Sequence, residues 1–326
     1  MAGTFTHWMV VEEALKQIAP KGKVPPIWED EPNVHLKEFV KLGAVSPDLP
    51  YLTDVMSGAV LKKHNWADRM HYECTANFIH KGINNLLGIQ GVDRDICFAW
   101  LCGYVAHVIT DVVVHPAVNA TVGAYIFNST EHRQCEMTQD VLIFDKLGNG
   151  DLIATQYNEF LPKCSNRPSD NIPSNNANHI KKAVGDFWKD TLIAAHDDPD
   201  TKKFHGEIKP DEWFEKYRDK VRFVGKPTFV TRHLLEGENL TYSRLADIPD
   251  DRRKKYFSEM RLPRNETGDF YQDVFKKAVV CVVDVWGKIY DDVDANNPGN
   301  CMDPPNGYIK NWNLDLGIDM DKTYYW

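Results

Sequence analysis

The sequence predicts an all-α, multi-helix protein on three observations. Apolar residues recur at helical spacing wherever the 326 residues are readable, alternating strand patterns closed by hairpin turns are scarce, and the segment 93–114 is almost wholly apolar, as a central buried helix must be. With 43% hydrophobic residues the chain can bury a substantial core.

In chain order, Thr6 is placed to cap a first helix through His7, Val10, Val11, Ala14, Leu15 and Ile18, and Pro20 and Gly22 end it. A loop carrying Pro25, Pro26 and Pro32 leads to a shorter helix over Val34–Leu42. The run from Gly43 to Pro50 holds two prolines, which favour an irregular, extended segment and put Asp48 on a loop. Thr75–Leu87 is amphipathic. In Asp93–Val114 only a few polar side chains, among them His107, Thr110 and Asp111, interrupt the apolar run, and Pro116 marks the expected end. Further helices are expected over Glu131–Lys146, Asn178–Ala195, Pro210–Val221, Asp250–Met260 and Tyr271–Tyr290. The tail from Asn296 to Trp326 has no period and is expected to wrap the surface.

The formal charge of −9 argues against a protein that grips nucleic acid through basic side chains. No run approaches ~18 consecutive apolar residues, so a membrane-spanning helix is not expected. The amino terminus has no basic leader or cleavage signature, which suits a cytoplasmic protein unless a leader was removed; sequons at Asn119, Asn128, Asn239 and Asn265 keep a secreted origin open. Seven cysteines without a CxxC pair suit reduced, mostly buried thiols.

Eight of the twelve histidines lie in the first 140 residues, and their spacing is informative. Single His-x3-Asp or His-x3-Glu pairs arise about twice by chance in such a composition, because i and i+4 share a face in any helix. A His-x3-Asp-x3-His run is expected roughly 0.04 times, yet one stands in AHVITDVVVH: His107, Asp111 and His115. Residues one turn apart can point at one metal ion, and their burial in so apolar a helix is costly unless they are paired or metal-bound. A buried His–Asp hydrogen-bond pair is the plainer alternative. His132 and Glu136 form a second such pair, which alone reads as a surface pair.

The ordered elements THWMVVEEAL, GAVSPDLPY, MHYE, AWLCGYVAHVITDVVVH and EHRQCEMTQD resemble the zinc-dependent phospholipase C family over about the first 140 residues. That family is related to the N-terminal domain of glycosylphosphatidylinositol-specific phospholipase D and, more distantly, to single-strand-specific zinc nucleases. The resemblance implies three zinc ions in a cleft of an all-α fold. It further implies His7 as the N-terminal histidine ligand and Asp48 as the loop carboxylate beside a bridging water. His107 and Asp111 would sit at the shared metal, with His115, His132 and Glu136 on the remaining ion. His71 and His64 compete for one more ligand position, and MHYE directly before a helix favours His71. In secreted bacterial members the chain's own terminal amine is a ligand; removal of Met1 here would leave Ala2, five residues before His7. Asp140 either orients a ligand or is a solvated carboxylate.

The reading is therefore one domain over 1–326, with a metal-binding core in 1–146 and additional helices and a C-terminal tail in 177–326. Residues 162–176 are the best internal boundary. The implied activity is phosphodiester hydrolysis of a glycerophospholipid to diacylglycerol and a phosphorylated head group by a metal-activated water, with Asp48 as the catalytic carboxylate and transient contact with a membrane surface. Two alternatives stand beside it. One is cleavage of single-stranded nucleic acid or nucleotides by the same cluster, and the other a non-catalytic protein that zinc merely stabilises.

Overall fold

The computed structural model describes residues 2–22, 35–51, 66–154, 160–166, 178–197, 207–224, 242–295, 301 and 307–326. Its helices are α1 (Thr4–Ile18), α2 (Leu36–Gly43), α3 (Trp66–Tyr72), α4 (Thr75–Leu86), α5 (Gly91–Val122), α6 (Tyr125–Lys146), α7 (Lys182–Ala195), α8 (Pro210–Val224), α9 (Asp250–Arg253) and α10 (Lys276–Asp294). Among the described residues, strand pairing is confined to two antiparallel two-residue ladders. They join β1 (Met260–Arg261) to β2 (Thr267–Gly268) and β3 (Trp312–Asn313) to β4 (Ile318–Asp319). The fold is all-α, as the periodicity predicts.

α5 is the axis. It packs against α1, α2, α4, α6, α7 and α10 at once, so from Ile96 to Val118 it has no solvent face and no reason to be amphipathic. Each of its buried Val and Ile side chains contributes about 1.5–3 kcal/mol. By length and composition this helix could cross a membrane, which counting uninterrupted apolar runs fails to register. Its apolar window is 100% buried within the protein, however, and that identifies it as the core helix. The closest approach is to α2: a Cβ on Gly43 would stand 2.0 Å from the Trp100 carbonyl oxygen, and one on Gly103 2.0 Å from that of Val40. Backbone lies on backbone there, and only glycine fits.

Several boundaries differ from expectation for local reasons. Pro116 does not end α5, which runs on to Val122. Proline leaves the Val112 carbonyl without its helical donor, and the C-terminal tail seals that spot. Gly317 lies so close that a Cβ would be 2.8 Å from the Val112 oxygen, and Trp326 Nε1 donates to the neighbouring Val113 carbonyl at 2.9 Å. The tail is thus packed on the core helix. Asp48 is not on an extended loop; Ser46–Asp48 forms a single 3-10 turn with Pro47 in it. α1 begins at Thr4, and Thr6 is inside it rather than capping it. The expected Asp250–Met260 helix is one turn of α9 followed by a π-turn over Lys254–Ser258, and Tyr271–Tyr290 begins with a π-turn over Phe270–Phe275 before α10. Pro25, Pro26, Pro32, His64 and most of 162–176 lie outside the described residues. The seven cysteines form no disulfide, and five are buried.

Candidate metal centre

Four elements bring the charged residues of the first half to one place. α1 supplies His7, the 3-10 turn Asp48, α3 His71, and α5 His107, Asp111 and His115. Asp111 is the hub. Its Oδ1 lies 3.3 Å from His7 Nε2 and 3.2 Å from His115 Nε2, and its Oδ2 lies 3.2 Å from His107 Nε2 and 3.6 Å from His71 Nε2. Asp48 Oδ1 stands 3.2 Å from His71 Nε2 and 3.9 Å from His107 Nε2. The ring of His7 stacks on that of His107 with centroids 4.2 Å apart. Two sets of three donors lie within 4.8 Å of one another: His7, Asp48 and His107, and His71, His107 and Asp111.

The hydrogen bonds of the rings set their tautomers. His107 Nδ1 lies 2.9 Å from the Ala44 carbonyl and His71 Nδ1 2.7 Å from that of Ala67. A carbonyl only accepts, so both Nδ1 atoms carry protons, and in the neutral rings both Nε2 atoms present lone pairs. Those lone pairs face each other at 3.2 Å, between two carboxylates. A cation between them would relieve that repulsion, as would a proton on one ring. His7 Nε2, Asp48 Oδ1, Asp111 Oδ2 and His115 Nε2 are also buried without hydrogen-bond partners among the described residues, a costly arrangement for a protein alone. Imidazole nitrogens held by carbonyls in a second layer, with carboxylates between them, form the donor set that suits Zn²⁺.

Electrostatics agree. Burial pulls Asp111 towards its neutral form, but the imidazoles of His115 and His107 outweigh it and hold the carboxylate well below the usual range. Asp48 is lowered in the same way, burial being overcome by His107 and His71. Burial disfavours the charged form of His115, yet Asp111 and Asp315 raise it to about 9.

The remaining expected residues behave differently. His132 Nε2 donates to the Gly123 carbonyl at 2.6 Å, and its Nδ1 lies 3.8 Å from Glu136 Oε1. Both are buried on α6, but neither belongs to the two close donor sets. His71 is in the cluster, while the competing His64 lies outside the described residues.

Three participants complete the surroundings; Asp315 carries no signal in the sequence, whereas Ala2 and Asp140 stand among its open alternatives. Asp315, in the C-terminal tail, places Oδ1 3.2 Å from His115 Nδ1 and accepts from the Tyr72 hydroxyl at 2.7 Å. Burial works against its charge, but His115 holds it well below the ordinary carboxylate range. The backbone nitrogen of Ala2 donates to Asp111 Oδ1 at 3.1 Å. Asp140 is fully buried rather than solvated, and it caps α1 from α6. Its oxygens accept from Thr6 N and Oγ1 at 2.7 Å each, from Phe5 N at 3.3 Å and from the Tyr242 hydroxyl at 2.7 Å. Burial pushes its carboxyl up to about 6 against those donors. The cap fixes the turn that precedes His7. No periodicity links positions so far apart, and only the fold reveals them.

Asp315 yields a direct expectation. Asp315→Asn removes the charge that orients His115 and lowers zinc affinity about 10–100-fold, the usual loss for an outer partner of a metal-binding histidine. Competition against a zinc chelator measures it, and unchanged affinity excludes the role.

A family model described as zinc dependent phospholipase C matches residues 6–215, well over half the chain and well past the first 140 residues. No curated protein and no solved structure matches the chain.

Proposed function

The chain belongs to the zinc-dependent phospholipase C family, and on that premise we propose that it hydrolyses a glycerophospholipid to diacylglycerol and a phosphorylated head group. The observation that carries the reading is the pair of opposed Nε2 lone pairs on His71 and His107, set between Asp48 and Asp111. His7, Asp48, His71, His107, Asp111 and His115 would hold the metal, with His132 and Glu136 completing a third position for a total of three ions. When bound, zinc lowers the pKa of a coordinated water and offsets charge on the phosphoryl oxygens.

The chain's own part falls largely to Asp48. Its side chain is 14% exposed, whereas those of His7, His71, His107 and Asp111 are fully buried and that of His115 is 4% exposed. Asp48 is therefore the group an incoming phosphodiester meets. Its lowered pKa keeps it ionised at neutral pH, able to orient the attacking water and accept its proton. The buried histidines exclude competing solvent behind it. Diacylglycerol leaves after its oxygen takes a proton from water.

The test combines metal analysis with hydrolysis of phosphatidylcholine, other phospholipids and single-stranded DNA. Asp48→Asn is expected to lower turnover by about 10²–10⁴ while retaining most of the zinc. A metal-free protein, or hydrolysis of DNA in preference to every phospholipid, sinks the reading. Removal of Met1 would make the Ala2 nitrogen a primary amine at Asp111, where it could join the ligands; intact-mass measurement reports that step.

Contact with a lipid surface has a candidate place in the same reading. Ile126 and Phe127 open α6 with 82% and 84% exposure, beside Tyr125, whose ring centroid is 5.3 Å from that of His132. Apolar side chains so exposed beside the proposed metal ligands suit shallow insertion between head groups. Phe127→Asp is expected to cut hydrolysis of vesicle phospholipid about tenfold and to leave a monomeric short-chain substrate unaffected. Equal losses on both substrates remove lipid contact as the explanation.

A further inference from the structure

On the far side of α3 from the metal centre lies a cleft of ≈ 780 Å³ between α3, α7 and the start of α8. Arg69 lines it. This side chain is 1% exposed, its Nε donates to Glu73 at 2.9 Å and its guanidinium stacks on Trp66 at 5.1 Å. Its two Nη atoms are buried and have no hydrogen-bond partner among the described residues. A guanidinium keeps its proton in that position, so the fork presents donors to an oxygen acceptor, and an oxyanion is the acceptor whose charge and shape suit it best.

The carboxylates on the cleft wall already have partners within the protein: Asp186 faces Lys182, Glu207 and Glu212 face Lys209, and Asp211 and Glu215 face the His179 ring. Lys189 lines the same wall and is exposed, without an ion pair among the described residues. The donors left over are thus the Nη fork of Arg69, whose charge Glu73 already faces through Nε, and the ammonium of Lys189. We propose that this cleft is a second binding site, separate from the metal centre, for a phosphate monoester or inorganic phosphate. A planar fork takes two oxygens of a tetrahedral oxyanion, and the exposed ammonium of Lys189 on the same wall adds a further donor. The cleft is far larger than a phosphate group, so the organic part of an ester has room. If the ester is a released phosphorylated head group, the site rests on the hydrolysis proposed above; if it is free phosphate, it does not.

Isothermal titration of the zinc-loaded protein with inorganic phosphate and with glycerol phosphate separates these sources. The wild type is expected to show a binding event that survives occupation of the metal centre by a non-hydrolysable phosphonate lipid. Arg69→Gln should lose that event by tenfold or more in affinity, and Lys189→Gln should weaken it about threefold while altering only an exposed side chain. Binding of both ligands identifies an ester site, and binding of phosphate alone identifies free phosphate as the ligand. Arg69→Met keeps the apolar stem against Trp66, and its circular dichroism shows whether a loss reflects misfolding. A titration of folded Arg69→Met or Lys189→Gln identical to that of the wild type overturns the site, as does a wild type that binds neither ligand once the metal centre is filled.

Discussion

Asp111→Ala is expected to strip the protein of zinc and to lower hydrolysis by on the order of 10³-fold or more, because chemistry that depends on a metal-activated water loses the activation along with the metal. No other side chain touches as much of the centre. Its two oxygens reach the Nε2 atoms of His7, His71, His107 and His115 and the backbone nitrogen of Ala2. Removing it leaves four imidazoles around a hole, two of them with opposed lone pairs. Asp111→Asn keeps the volume but turns one oxygen into an N–H donor and removes the negative charge, so it should lose metal almost as completely. Metal content by mass spectrometry and steady-state rates measure both variants. A variant that keeps its zinc and its rate would remove Asp111 from the centre altogether.

The second large effect is on stability. Gly103→Ala is expected to destabilise the protein by about 3 kcal/mol or more, since the new methyl meets the Val40 carbonyl oxygen at 2.0 Å and backbone cannot rotate away as a side chain can. The damage should reach the chemistry. His107 stands one turn beyond Gly103, and its Nδ1 donates to Ala44, the residue after Gly43 on the opposing segment. Separating the two segments pulls that carbonyl from the ring it orients. Gly287→Ala is the control: nothing lies within 4 Å of its added carbon on α10, so a gain of about 0.5–1 kcal/mol is expected. Urea denaturation of both variants, together with zinc affinity, decides the matter. Equal stabilities for the two alanine variants contradict the close crossing.

What the sequence disclosed of the site followed from helix periodicity. His107, Asp111 and His115 were visible because one helix carries all three on one face, and an apolar helix makes such residues conspicuous. His7, Asp48 and His71 came from ordered motifs, and their convergence on Asp111 is a property of the fold. Asp315 could not be read at all, and Asp140 only as a choice between orienting a ligand and facing solvent, since contacts between residues 115 and 315 or 6 and 140 leave no trace in local spacing. The same limit explains Pro116: its local rule is sound, but the tail packed against its turn, with Gly317 and Trp326, decides whether the helix continues. Asp48 fell between the two cases, because prolines mark irregular backbone without saying whether it turns or extends.

The long reach of the tail also sets a timetable. Synthesis proceeds from the amino end at about 5–20 residues per second, so roughly ten seconds or more separate the emergence of α5 from that of Asp315 and Trp326. Throughout that interval the most apolar helix of the chain lacks α10 and the tail, two of the elements that cover it. Folding dominated by such distant pairings is slow and leaves sticky surface open to other chains. The nascent protein is therefore expected to keep its core helix partly uncovered until the tail arrives, and only then does the centre gain its last histidine partner.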